Sequence, residues 1–197
     1  SLEALRQPLE DGNVTISRAA GSVNFPAQFM LIAAANPCPC GFLGDPKKQC
    51  KCSVHQIMNY QKKLSGPIMD RIDLHLTVPA VEVNKLMLDN QANKQSEKSS
   101  VIKLRVKNAR EIQRKRYADL NGVHSNSDMK NSHLKNLAKI SDSANLLLKQ
   151  AVNKFNLSAR TYFRLIKVAR TIADLGGSEI IDNTHVAEAL QYRVREN

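Results

Sequence analysis

The feature that most constrains the fold is a continuous apolar run, residues 29–35, which ends at the pair Asn36-Pro37. Seven apolar residues bounded by polar ones are typical of a strand buried on both faces, as in a parallel sheet covered by helices. The run therefore predicts an α/β core. Ligands of open α/β sheets bind at the carboxyl ends of the strands, which makes Asn36 a candidate ligand-binding residue. An Asn-Pro pair also begins ordinary turns, and that interpretation stays open.

The four cysteines of the chain follow this run as two Cys-x-Cys pairs, with nine residues between them: Cys38, Cys40, Cys50 and Cys52. Such a loop can bring four thiolates around one ion, and structural zinc takes four such ligands in a tetrahedron. Free thiols and disulfides are the alternatives, and a reducing cytoplasm disfavours the disulfides. The spacing predicts a structural Zn²⁺ site. His55 is a spare candidate ligand, although a histidine here more often caps or solvates the next helix.

Length and charge narrow the class of protein. The chain has 197 residues, of which 42% are apolar, enough for one ordinary domain or two small ones. No apolar run approaches the roughly 20 residues of a membrane-spanning helix, and the N-terminus lacks the pattern of a signal peptide. We therefore expect a globular, cytoplasmic protein without a membrane partner. The net charge of +11 favours a polyanionic partner, above all nucleic acid.

Upstream of the apolar run, the sequence predicts a short helix and a hairpin. Leucines at helical spacing in residues 2–9 precede a turn at Asp11-Gly12, so the chain is expected to begin inside a domain. Apolar and polar residues then alternate over residues 14–25, with a turn at residues 20–22. This alternation is a hairpin pattern, and it carries Arg18.

Downstream of the cysteines, residues 54–64 predict a helix that stops at Gly66-Pro67. Residues 72–78 alternate as a short strand. Arg71 lies between Asp70 and Asp73, where an arginine is usually a surface ion-pair member that stabilises by under about 1 kcal/mol.

The second half is predicted to be helical. Residues 89–100 are rich in Asn, Gln, Ser and Lys, which is typical of a linker, and residues 121–132 are predicted to be loop. Residues 103–116 hold seven Lys or Arg against one Glu on a partial apolar helix, which is either a solvated face or a DNA contact. Three helices are predicted at residues 141–155, 158–175 and 182–195. On the middle one, Arg160, Arg164 and Lys167 share a face that could meet phosphates.

Three long stretches carry a resemblance to a known family: LEALRQPLEDGNVTISRAAGSVNFPAQFMLIAAANPCPCG, KLSGPIMDRIDLHLTVP and LSARTYFRLIKVARTIADL. In this order they closely resemble the magnesium-chelatase-like AAA+ ATPases of bacteria. The resemblance implies that Asn36 is sensor 1, which orients the water that attacks the ATP γ-phosphate, and that Arg71 is the arginine finger. It also implies that Arg160 is the sensor 2 arginine of a helical lid, and that the Arg18 hairpin lines a pore and touches DNA.

One departure from the family is large. The phosphate loop G-x-x-x-x-G-K-[ST] and an apolar strand ending in the acidic pair that holds Mg²⁺ are both absent from the sequence. The chain thus resembles the C-terminal part of such an ATPase, with an α/β core at residues 1–88, a linker at 89–100 and a helical lid at 101–197. The fragment alone is expected to be inactive.

By resemblance, the intact protein is a hexameric motor that uses ATP and Mg²⁺ and acts on DNA as a helicase or in branch migration, during DNA uptake and recombination. One alternative is a chelatase-type motor that remodels a protein partner. Another is a zinc-stabilised nucleic-acid-binding module without catalysis.

Overall fold

The structure is a computed structural model that describes residues 2–64, 68–78 and 97–193. The chain forms two compact units, Ser1–Ile72 and Asp73–Asn197. The helices are α1 (Arg6–Asp11), α2 (Val54–Leu64), α3 (Ser99–Arg116), α4 (Asn131–Leu137), α5 (Asp142–Phe155), α6 (Ala159–Leu175) and α7 (Asn183–Gln191). Short 3-10 helices lie at Leu2–Leu5, Met69–Arg71 and Asn126–Asp128, and the strands are β1 (Asn13–Arg18) and β2 (Gly21–Pro26).

The N-terminal unit contains the predicted hairpin. Strands β1 and β2 pair antiparallel, with Val14 opposite Phe25 and Arg18 opposite Gly21. The turn therefore lies at residues 19–20, slightly earlier than predicted. Helix α1 ends where predicted, at Gly12, whose φ of 65° suits glycine and whose N–H donates to the Pro8 carbonyl at 3.0 Å.

The two other strand predictions are wrong. Residues 29–35 and 72–78 form no strand, and Met30 and Ile32 are 83% and 82% exposed. A strand exists only when a second strand completes its ladder, and within the described ranges the only sheet is the β1–β2 pair. Apolar residues favour a buried strand, but they do not supply the second strand with which it must pair. The described residues thus form a mixed helix and strand fold with a two-stranded antiparallel sheet, and the expected parallel sheet is not among them.

Helix α2 forms as predicted and begins with a reciprocal cap. The Ser53 Oγ accepts the Gln56 N–H at 3.3 Å, and the Gln56 Oε1 accepts the Ser53 N–H at 2.9 Å. The predicted stop at Gly66-Pro67 and most of the predicted linker at 89–100 lie outside the described residues. The last two residues of that linker, Ser99 and Ser100, are helical, so the predicted boundary is two residues too late.

The C-terminal unit is helical from Ser99 onward, and its core surrounds α6, which packs against α3, α4 and α7. Two of the predicted helices are confirmed as α5 and α6, and each begins with a serine N-cap. The Ser141 Oγ accepts the Ala144 N–H, and the Ser158 Oγ accepts the Thr161 N–H, both at 3.2 Å. The third, α7, begins where predicted but ends at Gln191, earlier than predicted. The buried apolar residues include Tyr117, Met129, Leu148, Leu165, Ala169, Ile181 and Val186.

The prediction of loop at residues 121–132 is wrong in part, because this segment enters a 3-10 helix and the start of α4. The reason is a buried polar network that local sequence patterns do not reveal. The Asn126 Nδ2 donates to the Asp174 carboxylate at 2.9 Å, and the Tyr117 hydroxyl donates to the Asn126 Oδ1 at 2.6 Å. These bonds fix the segment against α3 and α6.

Asp174 is the centre of that network. Arg116 donates to both of its carboxylate oxygens, at 2.8 and 2.6 Å, and the Arg170 Nε donates at 3.1 Å. Burial by itself raises the pKa of Asp174, but hydrogen bonds from Arg116 and Asn126 outweigh it, so this pKa lies below its ordinary value. The carboxylate therefore stays ionised inside the unit.

Candidate metal centre and nucleotide-site residues

The four cysteines converge on one point. The Sγ–Sγ distances are 3.4 Å for Cys38 and Cys40, 3.7 Å for Cys38 and Cys50, and 3.5 Å for Cys40 and Cys50, and the four ligand atoms, Cys52 included, lie within 4.8 Å of one another. Four sulfurs at about 2.3 Å from a tetrahedral zinc ion lie about 3.8 Å apart, whereas a disulfide needs about 2.05 Å. The observed spacing fits a shared ion and not a pair of disulfides.

Tight turns between the cysteine pairs bring them together. The Gly41 N–H donates to the Cys38 carbonyl at 3.0 Å, and the φ of 81° at Gly41 lies in the region that favours glycine. The Asp45 Oδ1 accepts the N–H groups of Lys47 and Lys48 at 2.7 and 2.9 Å, and these bonds lower the pKa of Asp45. The loop thereby reverses direction before it reaches the second cysteine pair.

The electrostatics of the cluster suit a cation. Backbone N–H groups of Phe42 and Lys51 donate to the Cys40 sulfur and lower the pKa of its thiol to about 6, which favours the thiolate. Burial raises the pKa of Cys52 to about 12, so its thiolate needs a positive partner. A donor set of four sulfurs is suited to Zn²⁺ and not to Mg²⁺, which prefers oxygen.

His55 is not part of the cluster. Its ring lies on α2, exposed, with the Nδ1 atom 3.2 Å from the Asn59 amide nitrogen. The alternative interpretation of this residue, as part of the following helix, agrees with that position.

Asn36 lies two residues before the first ligand and is exposed. Its side chain is next to Gly41, where an added Cβ would be 3.7 Å from the amide carbon. The Gln61 side chain of α2 donates to the Pro37 carbonyl at 3.4 Å. Residue 36 and the cysteine loop are therefore parts of one local structure, so an ion bound there would stiffen the segment that carries Asn36.

Arg71 lies in the 3-10 helix Met69–Arg71, and its side chain is only 7% exposed. It forms an ion pair with Glu10, and Asp73 instead pairs with Arg164 at 2.5 Å. Sequence reasoning considered only the acidic neighbours of Arg71 and missed Glu10. No local pattern could have found that residue, since the two positions are 61 apart.

The three predicted cations of α6 occupy different environments. Arg160 is exposed in the first turn, Arg164 pairs with Asp73, and the Lys167 Nζ donates to the Ser127 carbonyl at 2.9 Å. Burial, together with the positive charge of Arg164, lowers the pKa of Lys167. The three side chains therefore do not form a single face of equally available cations.

Arg18 is the last residue of β1, adjoins the turn, and is exposed. A hairpin tip of this kind can present a guanidinium to an external partner.

Two family models match the chain along almost its whole length. The model described as magnesium chelatase, subunit ChlI, matches residues 1–86, and the model of the ChlI C-terminal part matches residues 96–193. The chain belongs to the magnesium chelatase family. The resemblance found in the three sequence stretches is thereby confirmed.

Relatives in this family align over 98% of the chain. Competence protein ComM of Haemophilus influenzae is 40% identical over 192 residues, which are 36% of that protein. Uncharacterized protein YifB of Escherichia coli is 36% identical over 194 residues, and uncharacterized protein Rv2897c of Mycobacterium tuberculosis is 36% identical over 193. The chain spans a little over a third of the length of these magnesium chelatase relatives.

Among the residues that the structure describes, no helix is both long and apolar enough to cross a membrane.

Proposed function

We propose that this chain is the C-terminal part of an AAA+ ATPase that assembles into a hexameric ring and drives the remodelling of DNA, as a helicase or in branch migration. The observation that carries the proposal is the 40% identity to competence protein ComM along 98% of the chain. The net charge of +11 and the exposed Arg18 at a hairpin tip support DNA as the partner. In this proposal residues 1–88 complete the ATPase core, residues 89–98 link the core to the lid, and the lid begins with α3 at Ser99.

The proposed catalytic residues position groups around the ATP phosphates. Phosphoryl transfer depends mainly on positioning and on stabilising charge at the phosphoryl oxygens. Asn36 orients the attacking water through its amide, held in place by the cysteine loop. Arg71 offers its guanidinium to the nucleotide of the neighbouring subunit, and Arg160 binds phosphates from the lid of its own subunit. The chain lacks the residue pattern that would hold Mg²⁺, so no Mg²⁺ ligand is assigned to it.

We also propose that Cys38, Cys40, Cys50 and Cys52 hold a structural Zn²⁺. Support comes from the converging sulfurs and from the backbone N–H groups that favour the Cys40 thiolate. A bound zinc ion supplies a rigid cross-link between the two ends of the loop.

The family description favours a second candidate function. Because the matching models are those of a magnesium chelatase subunit, the same ATPase core could drive a protein partner instead of DNA. The two functions differ in what stimulates ATP turnover.

The test is DNA-stimulated ATP hydrolysis by the intact protein that contains this chain. Arg18→Ala should reduce the stimulation and leave basal turnover unchanged, whereas Lys47→Ala, which removes an exposed charge from the cysteine loop, should change neither. Equal stimulation in Arg18→Ala and the parent would remove Arg18 from the DNA path. An intact protein that DNA never stimulates would contradict the DNA motor and favour the protein-remodelling alternative.

A further inference from the structure

Helix α3 contains seven cationic residues between positions 103 and 116, and the structure separates six of them into two groups of three. The seventh, Lys115, is exposed and helps Arg114 to lower the pKa of Glu111. Three arginines are bound to carboxylates. Arg105 donates to Glu97 at 3.2 and 3.1 Å, Arg114 donates to Glu111 at 2.5 to 3.2 Å, and Arg116 is bound to Asp174. These side chains serve the fold.

Lys103, Lys107 and Arg110 belong to the other group. Each is exposed, and across residues 2–64, 68–78 and 97–193 no carboxylate forms an ion pair with any of them. The nearby Glu111 is engaged by Arg114. Since the three lie at positions i, i+4 and i+7, they share one face of the helix, which we call the basic stripe. Like charges at this spacing repel one another and destabilise an isolated helix.

The basic stripe is held on a fixed support. On other faces of α3, Ala109 and Gln113 are each 4% exposed, and Arg116 ties the last turn to Asp174. The helix cannot rotate to disperse the stripe without breaking this packing. The three charges are thus presented together on one face of a helix that is fixed in place.

The stripe is long enough to meet several phosphates of one DNA strand. From Lys103 to Arg110 the helix rises by about 10 Å, at about 1.5 Å per residue. One strand carries a phosphate for about every 3.4 Å of DNA axis and winds around that axis, so neighbouring phosphates lie farther apart than this axial spacing, and the long side chains of the stripe let its three cations reach up to three of them. Lysine and arginine bind phosphate oxygens through charge-assisted hydrogen bonds, without reading base sequence.

We propose that the basic stripe is a DNA-backbone contact, independent of base sequence and separate from the Arg18 hairpin. This inference rests on the proposed DNA function and deepens it by naming a second surface. The stripe replaces its internal repulsion with attraction when the phosphates bind.

The experiment measures binding of a fluorescent DNA oligonucleotide to the 197-residue chain by anisotropy, as a function of salt. The test variant combines Lys103→Gln, Lys107→Gln and Arg110→Gln. The control combines Lys139→Gln, Lys149→Gln and Lys154→Gln, which removes the same charge from exposed positions of the same unit. Circular dichroism melting verifies that both variants fold.

The test variant should bind about tenfold or more weakly at low salt, and its slope of log K against log salt should fall by about 2 to 3, because each lost phosphate contact removes about 0.7 to 0.9. The control should stay within about twofold of the parent, since charges away from the contact release few counterions. Equal slopes in the two variants would show that the stripe is a solvated face and would overturn the proposal.

Two further outcomes separate this inference from the proposed function. If the stripe variant binds DNA like the control but Arg18→Ala binds weakly, the stripe proposal fails and the DNA motor stands. If poly-glutamate binds the chain as tightly as DNA and through the same three residues, the stripe recognises an acidic protein, and the DNA assignment of this surface is overturned. If the 197-residue chain binds no DNA, the proposal that the basic stripe contacts DNA is also overturned. The proposed motor function is tested separately, by the DNA-stimulated ATP turnover of the intact protein.

Discussion

The two units differ in how they bury apolar side chains. In Asp73–Asn197, fourteen buried residues form one core around α6, among them Leu148, Leu165 and Val186. Among the described residues of Ser1–Ile72, Cys38 and Ile68 are the only buried apolar side chains. A core supplies the free energy that orders a chain, and a segment without one needs a metal or a partner surface. We therefore expect the C-terminal unit to be stable by itself and the N-terminal unit to depend on its cysteine loop and on contacts beyond it.

Removal of the proposed zinc ion should produce the largest difference between the units. Structural zinc binds with about 10–16 kcal/mol in small zinc-dependent peptides, and this free energy orders the loop. Protein purified under reducing conditions should contain about one zinc per chain. A chelator should then raise amide hydrogen exchange in residues 38–52 and leave the protection of α6 unchanged. A metal-free preparation that melts normally and has four titratable thiols would contradict the zinc site.

Arg71 of the N-terminal unit and Arg160 of the C-terminal unit should differ in their effects on ATP binding and turnover in the intact protein. Arg71→Ala should leave ATP affinity largely unchanged, reduce turnover by about 10³-fold or more, and inactivate mixed rings, because an arginine finger acts across subunits as the phosphoryl group leaves. Arg160→Ala should weaken nucleotide binding as well, since a lid arginine contacts phosphates in the ground state. Nucleotide affinity and ATPase rate are measured for each variant.

Arg6→Ala is the matched control, because Arg6 belongs to an exposed ion pair with Glu3 in the same unit as Arg71. It should change neither quantity. If Arg71→Ala hydrolyses ATP normally in an assembled ring, the role of Arg71 is the ion pair with Glu10.

Asp174→Asn tests the buried charges of the C-terminal unit. The substitution leaves Arg116 and Arg170 without their anion, and breaking a buried pair in this way costs about 3–5 kcal/mol. Urea unfolding followed by helical circular dichroism measures the loss. Glu179→Gln, which removes an exposed partner of Lys139, should cost under about 1 kcal/mol. A loss as small as the control's would mean that the network does not stabilise the unit.

Truncating one apolar side chain in each unit tests the difference in burial between the two units most directly. Leu165 is 2% exposed, so Leu165→Ala should leave a cavity and cost about 2–5 kcal/mol. Ile32 is 82% exposed, and Ile32→Ala should change the free energy of unfolding by under about 0.5 kcal/mol. Chemical denaturation of both variants measures the difference. A large effect at Ile32 would show that this residue is covered in solution.

What the sequence could predict was local. The hairpin, the helices predicted at residues 141–155 and 158–175, and the grouping of the four cysteines depend on residues close together in the chain, and the structure contains all of them. The strands predicted at residues 29–35 and 72–78 failed because pairing requires a distant partner.

The same limit applies to the side chains of the site. Glu10 beside Arg71 and Asn126 beside Asp174 are brought together only by the fold. Among the positive residues of α6, the sequence pattern singled out Arg160, Arg164 and Lys167 and did not reveal that Arg170 is completely buried. The difference between a cation that meets a ligand and one that holds the interior together depends on packing, which composition and spacing do not record.

Arg170 has a consequence for the chemical conditions under which each unit keeps its shape. Its guanidinium donates to the carbonyls of Ala138, Ser178 and Glu179 as well as to Asp174, so one side chain cross-links three separate segments. All four cysteines of the chain lie between residues 38 and 52, so this cross-link contains no thiol and no metal. Peroxide and thiol-modifying reagents would act on the cysteine loop, as would zinc starvation if the loop holds the proposed ion, and all of them would leave the arginine cross-link intact. Lysine cannot replace it, because a single ammonium has neither the planar geometry nor the number of donors to reach all four acceptors.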